Sequence, residues 1–232
     1  MSKILLIIPA YNEEANILSV YQKIKENGQY DMIVINDGSK DSTPKILDEN
    51  HIPHIDLVHN LGIGGAVQTG FKYARDNGYD IAIQFDGDGQ HDVNYVKNIV
   101  QPILDGEADF VIGSRFVEAL DGNFQTSAAR RAGIKMISGA IKIVTGVRVK
   151  DTTSGFRAAN ADIIKEFSNR YPVEYPEPVS TTEILKKKYR LKEVPVMMHE
   201  RMGGVSSIKA WKNAYYMVNV LLSIFVVGTR RY

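Results

Sequence analysis

Residues 85–91, FDGDGQH, carry two carboxylates two positions apart, Asp86 and Asp88, directly behind an apolar run at 81–83. On an extended backbone such residues project to the same side. Both can then face one hard cation, while Gly87 and Gly89 let the main chain come close. Oxygen donors at the mouth of a strand, few of them from protein, suit Mg²⁺ or Mn²⁺ held jointly with a substrate phosphate. The same residues also read as a polar turn after a strand, and the rest of the chain has to decide.

The elements that must position this pair are visible as alternating patterns. Apolar runs at 4–8, 32–35, 55–58, 81–85 and 110–112 read as strands covered on both faces. Between them come segments of helical spacing: Ile17, Val20, Tyr21 and Ile24; a short helix opening at Pro44; Ile63 to Ala74; and Val96 to Leu104, which Pro102 should kink or shorten. Strands alternating with helices give crossover connections and an α/β fold with a mainly parallel central sheet flanked by helices. Ligands bind such sheets at the carboxyl ends of the strands. The polar residues expected there are Asn12, Glu13, Asp37, Asn60, Asp86, Asp88 and Arg115. Further on, residues 128–144 read as a helix with a basic face of Arg130, Arg131, Lys135 and Lys142, and 156–159 and 193–198 as strands. Residues 171–178 hold three prolines and are not expected to be regular helix.

Composition narrows the class. The 232 residues are 44% hydrophobic and 24% charged with a formal net charge of +1, ordinary globular material without the basic excess of a nucleic-acid binder. Cysteine is absent, which excludes disulfides and thiolate chemistry and fits a cytoplasmic chain. The apolar part of the first residues is too short for a signal peptide. The five histidines show no metal-ligand spacing, so packing or surface roles are expected for them, with His91 near the acidic pair by position only. Residues 1–208 read as one catalytic domain and 209–232 as a C-terminal apolar segment. Within it, 214–228 is almost wholly apolar between Lys209 and Lys212 on one side and Arg230 and Arg231 on the other, with Trp211, Tyr215 and Tyr216 suited to headgroup depth. It reads as a core or homodimer-interface helix, as a helix lying in a membrane surface, or as a span, although it falls short of the roughly 20 residues a span requires.

Each strand of the first half is followed by a polar segment: Pro9-Ala10-Tyr11-Asn12-Glu13-Glu14, residues 36–42 (NDGSKDS), residues 59–66 (HNLGIGGA) and the FDGDGQH segment. Taken singly these are turns and helix starts, with Asn12 able to cap the next helix and Pro9 to end the strand. In this order, and continued by Gly113-Ser114-Arg115, residues 151–158 (DTTSGFRA), Tyr175-Pro176-Glu177-Pro178, residues 193–196 (EVPV) and residues 201–208 (RMGGVSSI), the set resembles the inverting glycosyltransferases of family 2, in particular dolichol-phosphate and polyprenyl-phosphate sugar synthases. The resemblance implies a GT-A fold, a nucleotide-sugar donor (UDP-, dTDP- or GDP-linked), Mg²⁺ or Mn²⁺, and a polyprenyl phosphate or lipid-linked glycan acceptor. It also implies a peripheral place at the inner face of the cell membrane.

By the same resemblance Pro9, Ala10, Tyr11, Asn12 and Glu13 line the nucleotide pocket, Asp37 accepts the base N–H, and Asn60, Gly64, Gly65, Asp86 and Gly87 border the nucleotide. Asp86 and Asp88 form the metal pair, joined by Gln90. Arg115 and Arg131 correspond to acceptor-phosphate arginines, with Ser138 as a third contact, and Arg201 to a loop residue that closes over the donor diphosphate. The chain departs from the pattern at Val179, where relatives often carry another Glu, and in having one apolar segment where many carry two or more membrane helices.

A phosphate acceptor is already anionic and needs arginines more than a base. A sugar hydroxyl would need one, and Glu174 and Glu177 are the residues available for that role. The basic helix face also reads as merely solvated. A sugar nucleotidyltransferase would need a glycine-rich, basic loop after the first strand, where this chain has the acidic, glycine-free residues 9–14. A non-catalytic, nucleotide-binding membrane-surface scaffold of the same fold would be marked by loss of Asp86 or Asp88, and both are present.

Overall fold

The computed structural model describes the backbone of residues 2–117, 128–198 and 210–230, and the side chains of these except 128–130 and 210–214. Seven strands form one sheet in the order β3-β2-β1-β4-β6-β5-β7. They are β1 (Ile4–Ala10), β2 (Asp31–Asn36), β3 (His54–Asp56), β4 (Ile81–Gln84), β5 (Phe110–Ser114), β6 (Arg157–Asn160) and β7 (Leu191–Pro195). All run parallel except β6, which is inserted antiparallel between β4 and β5. Eight helices accompany them among the described residues: α1 (Ile17–Asn27), α2 (Thr43–Glu49), α3 (Gly62–Asp76), α4 (Val96–Leu104), α5 (Ala128–Thr145), α6 (Ala161–Asn169), α7 (Pro176–Lys186) and α8 (Ala210–Thr229).

The continuous apolar runs are explained by cover on both faces. Along β1, Leu5 and Ile7 enter a core shared with α3, α5, α6 and α8, while Leu6 and Ile8 enter a second core shared with α1, α2 and α4. Alternation with period two thus feeds two apolar layers from one strand. Helix α3 lies so close to β1 that a Cβ on Gly70 would sit 2.1 Å from Ile7 Cγ2.

Four expectations are corrected. Pro9 does not end β1, which pairs one residue further, Ala10 against Asn36. The third strand stops at Asp56, and Val58 is exposed. The proline-rich segment becomes helical from Pro176: Pro176 and Pro178 occupy the first turn of α7, where backbone N–H groups have no intrahelical partner to lose. No described helix is long and apolar enough to cross a membrane, so the spanning alternative for the C-terminal segment fails. Instead α8 buries Val220, Ile224 and Val227, stacks Tyr216 edge-on against Tyr175 at 4.8 Å, and is anchored by Lys186 Nζ donating to Gly228 O and by Arg230 pairing with Glu183. Pro102 lies inside α4, which runs on through it to Leu104, the end that the apolar spacing marks.

Gly70→Ala should cost about 1–3 kcal/mol, because β-branched Ile7 is locked in the central strand and cannot yield. Urea unfolding should show a lower midpoint at unchanged m-value.

Candidate functional site

The order of the sheet places a topological switch point between β1 and β4: the chain leaves β1 toward β2 on one side and reaches β4 on the other. Clefts at the carboxyl ends of such strands are where ligands bind. The segment after β1 and the FDGDGQH segment meet there, with the carbonyl of Pro9 3.1 Å from where a Cβ of Gly87 would lie.

On the β1–β2–β3 side, polar side chains knit three loops together. Asn12 does not cap a helix. It takes a left-handed conformation (φ 55°), and its Oδ1 accepts the Lys40 N–H at 2.8 Å while its own N–H donates to Ser39 Oγ. Helix α1 starts only at Ile17, and the Glu13 N–H is already taken by Thr43 Oγ1 at 2.9 Å. Asp37 is buried at the end of β2, and its Oδ1 accepts the Leu61 N–H at 2.7 Å. Burial raises the Asp37 pKa, and the amides of Leu61 and Gly62 counter the rise. Asn60 Nδ2 donates to Asp37 O, so Asp37 and Asn60 shape the same loop. Tyr11 remains substantially exposed at the rim. Gly64 is required for packing: a Cβ there would lie 2.3 Å from the carbonyl oxygen of Pro172. On Gly65 it would meet Leu61, one turn earlier on the same side.

On the β4 side, Asp86 is set from three directions. Its N–H donates to His91 Nδ1 at 3.0 Å. Its carboxylate faces His91 Nε2 at 3.5 Å and Gln84 Nε2 at 3.4 Å. Finally, Gly155 makes room for it, since a Cβ on that glycine would lie 2.6 Å from Asp86 Oδ2. His91 is buried, stacked on Phe156 at 4.8 Å and edge-on to Phe85. Burial lowers its pKa to about 4, Arg115 acts the same way and Asp88 opposes. The ring is therefore neutral at pH 7, accepts at Nδ1 and carries its proton on Nε2. Proximity in sequence hinted at none of this. Asp88 Oδ1 accepts the Gln90 N–H at 3.0 Å, which folds the loop so that Asp88 and Gln90 stand together.

Arg115 follows β5 and is clamped. Its Nε and Nη2 form a bidentate pair with Asp151 at 2.8 and 2.7 Å, Nη2 also reaches Thr153 Oγ1, and both members of the pair are nearly inaccessible. Glu193 of β7 in turn accepts the N–H groups of Lys150 and Asp151. Arg131 stands exposed on α5. Ser138 is not available as a ligand contact: it is buried and its hydroxyl donates to Val149 O. Arg201 lies outside the described residues.

Arg157, absent from the sequence-based candidates, is buried at the start of β6 and donates to Ser154 O, Glu177 O and Thr181 Oγ1 at 2.6, 2.7 and 3.0 Å. It fastens the 151–155 loop to the first two turns of α7. Burial raises the Glu177 pKa, Arg157 opposes and Asp86 adds to the rise. Glu174 is exposed.

The side chains present suit a hard divalent ion. Burial also raises the Asp86 pKa, with Gln84, Arg157 and Arg115 opposing and Glu13 adding to the rise. A cation beside that carboxylate would offset this cost. Asp86 and Asp88 offer oxygen donors, with the Gln90 amide next to them. No group of three or more acidic, histidine or cysteine side chains that could hold a metal ion gathers among the described residues.

Residues 5–167 match the family model described as glycosyl transferase family 2. The chain belongs to that family. It is a glycosyltransferase, and its sheet and helices are those expected of the GT-A fold. Among similar proteins, the UDP-N-acetylglucosamine–dolichyl-phosphate N-acetylglucosaminyltransferase of Methanococcus voltae is 33% identical over 83% of this chain and 84% of its own. The undecaprenyl-phosphate mannosyltransferase of Micrococcus luteus is 29% identical over 94% and 92%. In structure, glucosyl-3-phosphoglycerate synthase from Mycobacterium tuberculosis, solved with Mn²⁺, UDP and glucosyl-3-phosphoglycerate, superposes with a TM-score of 0.75. That likeness covers 100% of this chain and 81% of that one at 18% identity, and so speaks to the fold.

Two measurements test this geometry in the glycosyltransferase. Arg115→Ala strands the buried Asp151 and should cost about 3–5 kcal/mol in denaturant unfolding, part of which returns when Asp151→Ala is added. His91 lowers stability as pH falls from 6.5 toward 4, because the unfolded chain takes up this proton in that window and the folded chain does not. His91→Gln should flatten that part of the stability–pH curve relative to wild type.

Proposed function

We propose that this glycosyltransferase moves a sugar from a nucleotide-diphosphate donor to a polyprenyl phosphate in cell-envelope polysaccharide synthesis, working with Mg²⁺ or Mn²⁺. The observation that carries the reading is the loop at 151–157. Within seven residues it holds the partners of Arg115 (Asp151 and Thr153), the glycine against Asp86 and the buried Arg157. Acceptor-side and donor-side groups are thereby held at one rim. The names of the Methanococcus voltae and Micrococcus luteus relatives, both transferases acting on a lipid phosphate, support the acceptor.

In this reading the donor nucleotide lies over residues 9–13, with Asp37 toward the base and Asn60, Gly64 and Gly65 bounding the pocket. Asp86, Asp88 and Gln90 hold the ion, which when bound offsets charge developing on the leaving diphosphate. A phosphate oxygen of the acceptor attacks the anomeric carbon, the bond from that carbon to the diphosphate breaks, and the configuration inverts. Arg115, fixed by Asp151, and the exposed Arg131 hold the acceptor in line, and Arg201 closes on the diphosphate. No proton has to be removed from an ionised phosphate, which agrees with Glu177 lying recessed beside Arg157. The enzyme works at the inner face of the membrane as a peripheral protein.

Transfer from a panel of nucleotide sugars to a short-chain polyprenyl phosphate, with and without Mn²⁺, tests this. Asp88→Asn should lower kcat by at least about 100-fold at unchanged melting temperature. Glu177→Gln should keep most of the turnover. Its loss, together with turnover indifferent to the lipid, would transfer the acceptor role to a sugar hydroxyl and the base role to Glu177.

A further inference from the structure

Helix α8 has an inverted solvent face. At 3.6 residues per turn, Tyr215, Val218, Leu222, Phe225 and Val226 fall within an arc of about 100°, and each is 46% exposed or more. A surface helix ordinarily turns polar residues to that side. The neighbouring helix extends the surface. Gly133 of α5 is packed against Met217, and Val144 against Gly228. Both contacts have the same offset along the chain, so α5 and α8 run parallel. Buried Ile134, Ile137 and Ile141 mark the core side of α5, and Val220, Ile224 and Val227 that of α8. On the other side of the line of contact, α5 presents Met136 and Ile143, 53% and 77% exposed, beside the α8 arc. The two helices thus share one outward apolar face.

Charge identifies what covers it. Around α5, beyond Met136 and Ile143, come exposed Lys135, Lys142 and Arg131. Neither α5 nor α8 contains a single Asp or Glu. An apolar strip with cations along its α5 edge is complementary to hydrocarbon beneath anionic headgroups.

We propose that α5 and α8 together form a docking platform for the surface of an anionic bilayer, lying flat with Tyr215, Leu222, Phe225, Met136 and Ile143 at acyl depth and Lys135 and Lys142 among the headgroups. This deepens the lipid-acceptor reading, on which it rests for its biological sense, and it names the partner surface and its orientation. The consequence for the site follows from the chain path: α5 leads within six residues of its end to Asp151, the partner of Arg115. Arg131 is therefore carried by the element that meets the membrane, and Arg115 is held by the loop that follows it.

The test is co-sedimentation of the full chain with vesicles of phosphatidylcholine alone or with 30 mole per cent phosphatidylglycerol (about one lipid in three, enough for a strongly negative surface potential). Wild type should partition to the anionic vesicles and be released by salt. Leu222→Glu and, separately, Ile143→Glu should each lower partitioning at least about 10-fold, as should the Lys135→Glu/Lys142→Glu pair. All three should still transfer sugar to a short-chain acceptor without vesicles. Binding lost in Leu222→Glu but untouched by Ile143→Glu and the lysine pair would overturn the two-helix platform. A wild-type dimer in light scattering that Leu222→Glu converts to monomer would overturn it in favour of a second copy of the chain. Vesicle binding as expected without any transfer to polyprenyl phosphate would uphold the platform and defeat the lipid-acceptor reading instead.

Discussion

A guanidinium shut away from water with no carboxylate among its hydrogen-bond partners in the described residues is the constraint on which the site depends. Arg157 donates instead to the carbonyls of Ser154 and Glu177 and to the Thr181 hydroxyl. Buried charge is tolerated only where nearly every donor is satisfied, so this residue dictates the positions of its acceptors. They belong to two segments, the 151–155 loop and the first two turns of α7, which therefore cannot move independently. Through the same loop the constraint reaches Asp86, seated against Gly155, and Arg115, paired with Asp151.

The insertion of β6 makes this arrangement possible. An all-parallel sheet would bring the residues before β6 to the opposite end of the strands. Because β6 runs antiparallel between β4 and β5, its start lies beside their carboxyl ends, and Arg157 pairs across from Gln84. One reversed strand therefore adds a loop to a cleft otherwise built from the ends of parallel strands. His91 contributes from the other direction: stacked on Phe156 and accepting the Asp86 amide, it joins the acidic segment to the residue just before β6. The acidic pair is thus fixed by an aromatic layer and by a glycine, in addition to its own loop.

Burying a neutral histidine beside two carboxylates has an electrostatic use. A protonated ring would compete with a cation for Asp86, and burial prevents that protonation across the physiological range. Glu177 lies in the same recess with Arg157 as its main countercharge.

The sequence alone determined the parallel α/β layout, because doubly covered strands have to be continuously apolar and the helices between them show one apolar stripe each. It also determined which segments meet at the strand ends, since FDGDGQH and residues 9–14 both follow apolar runs. Tertiary structure decided what individual side chains do. Asn12 met Lys40, Ser138 met Val149 and Gly64 met Pro172 across separations that no local pattern encodes. His91 and Arg157 gained their roles from neighbours brought in by the reversed β6, whose direction its four residues cannot specify. The apolar C-terminal segment could equally have been core, interface or membrane helix by composition. Only its packing against α5 and α7 showed that one face is core and the other is turned outward, because burial belongs to the assembled fold and periodicity only makes it possible.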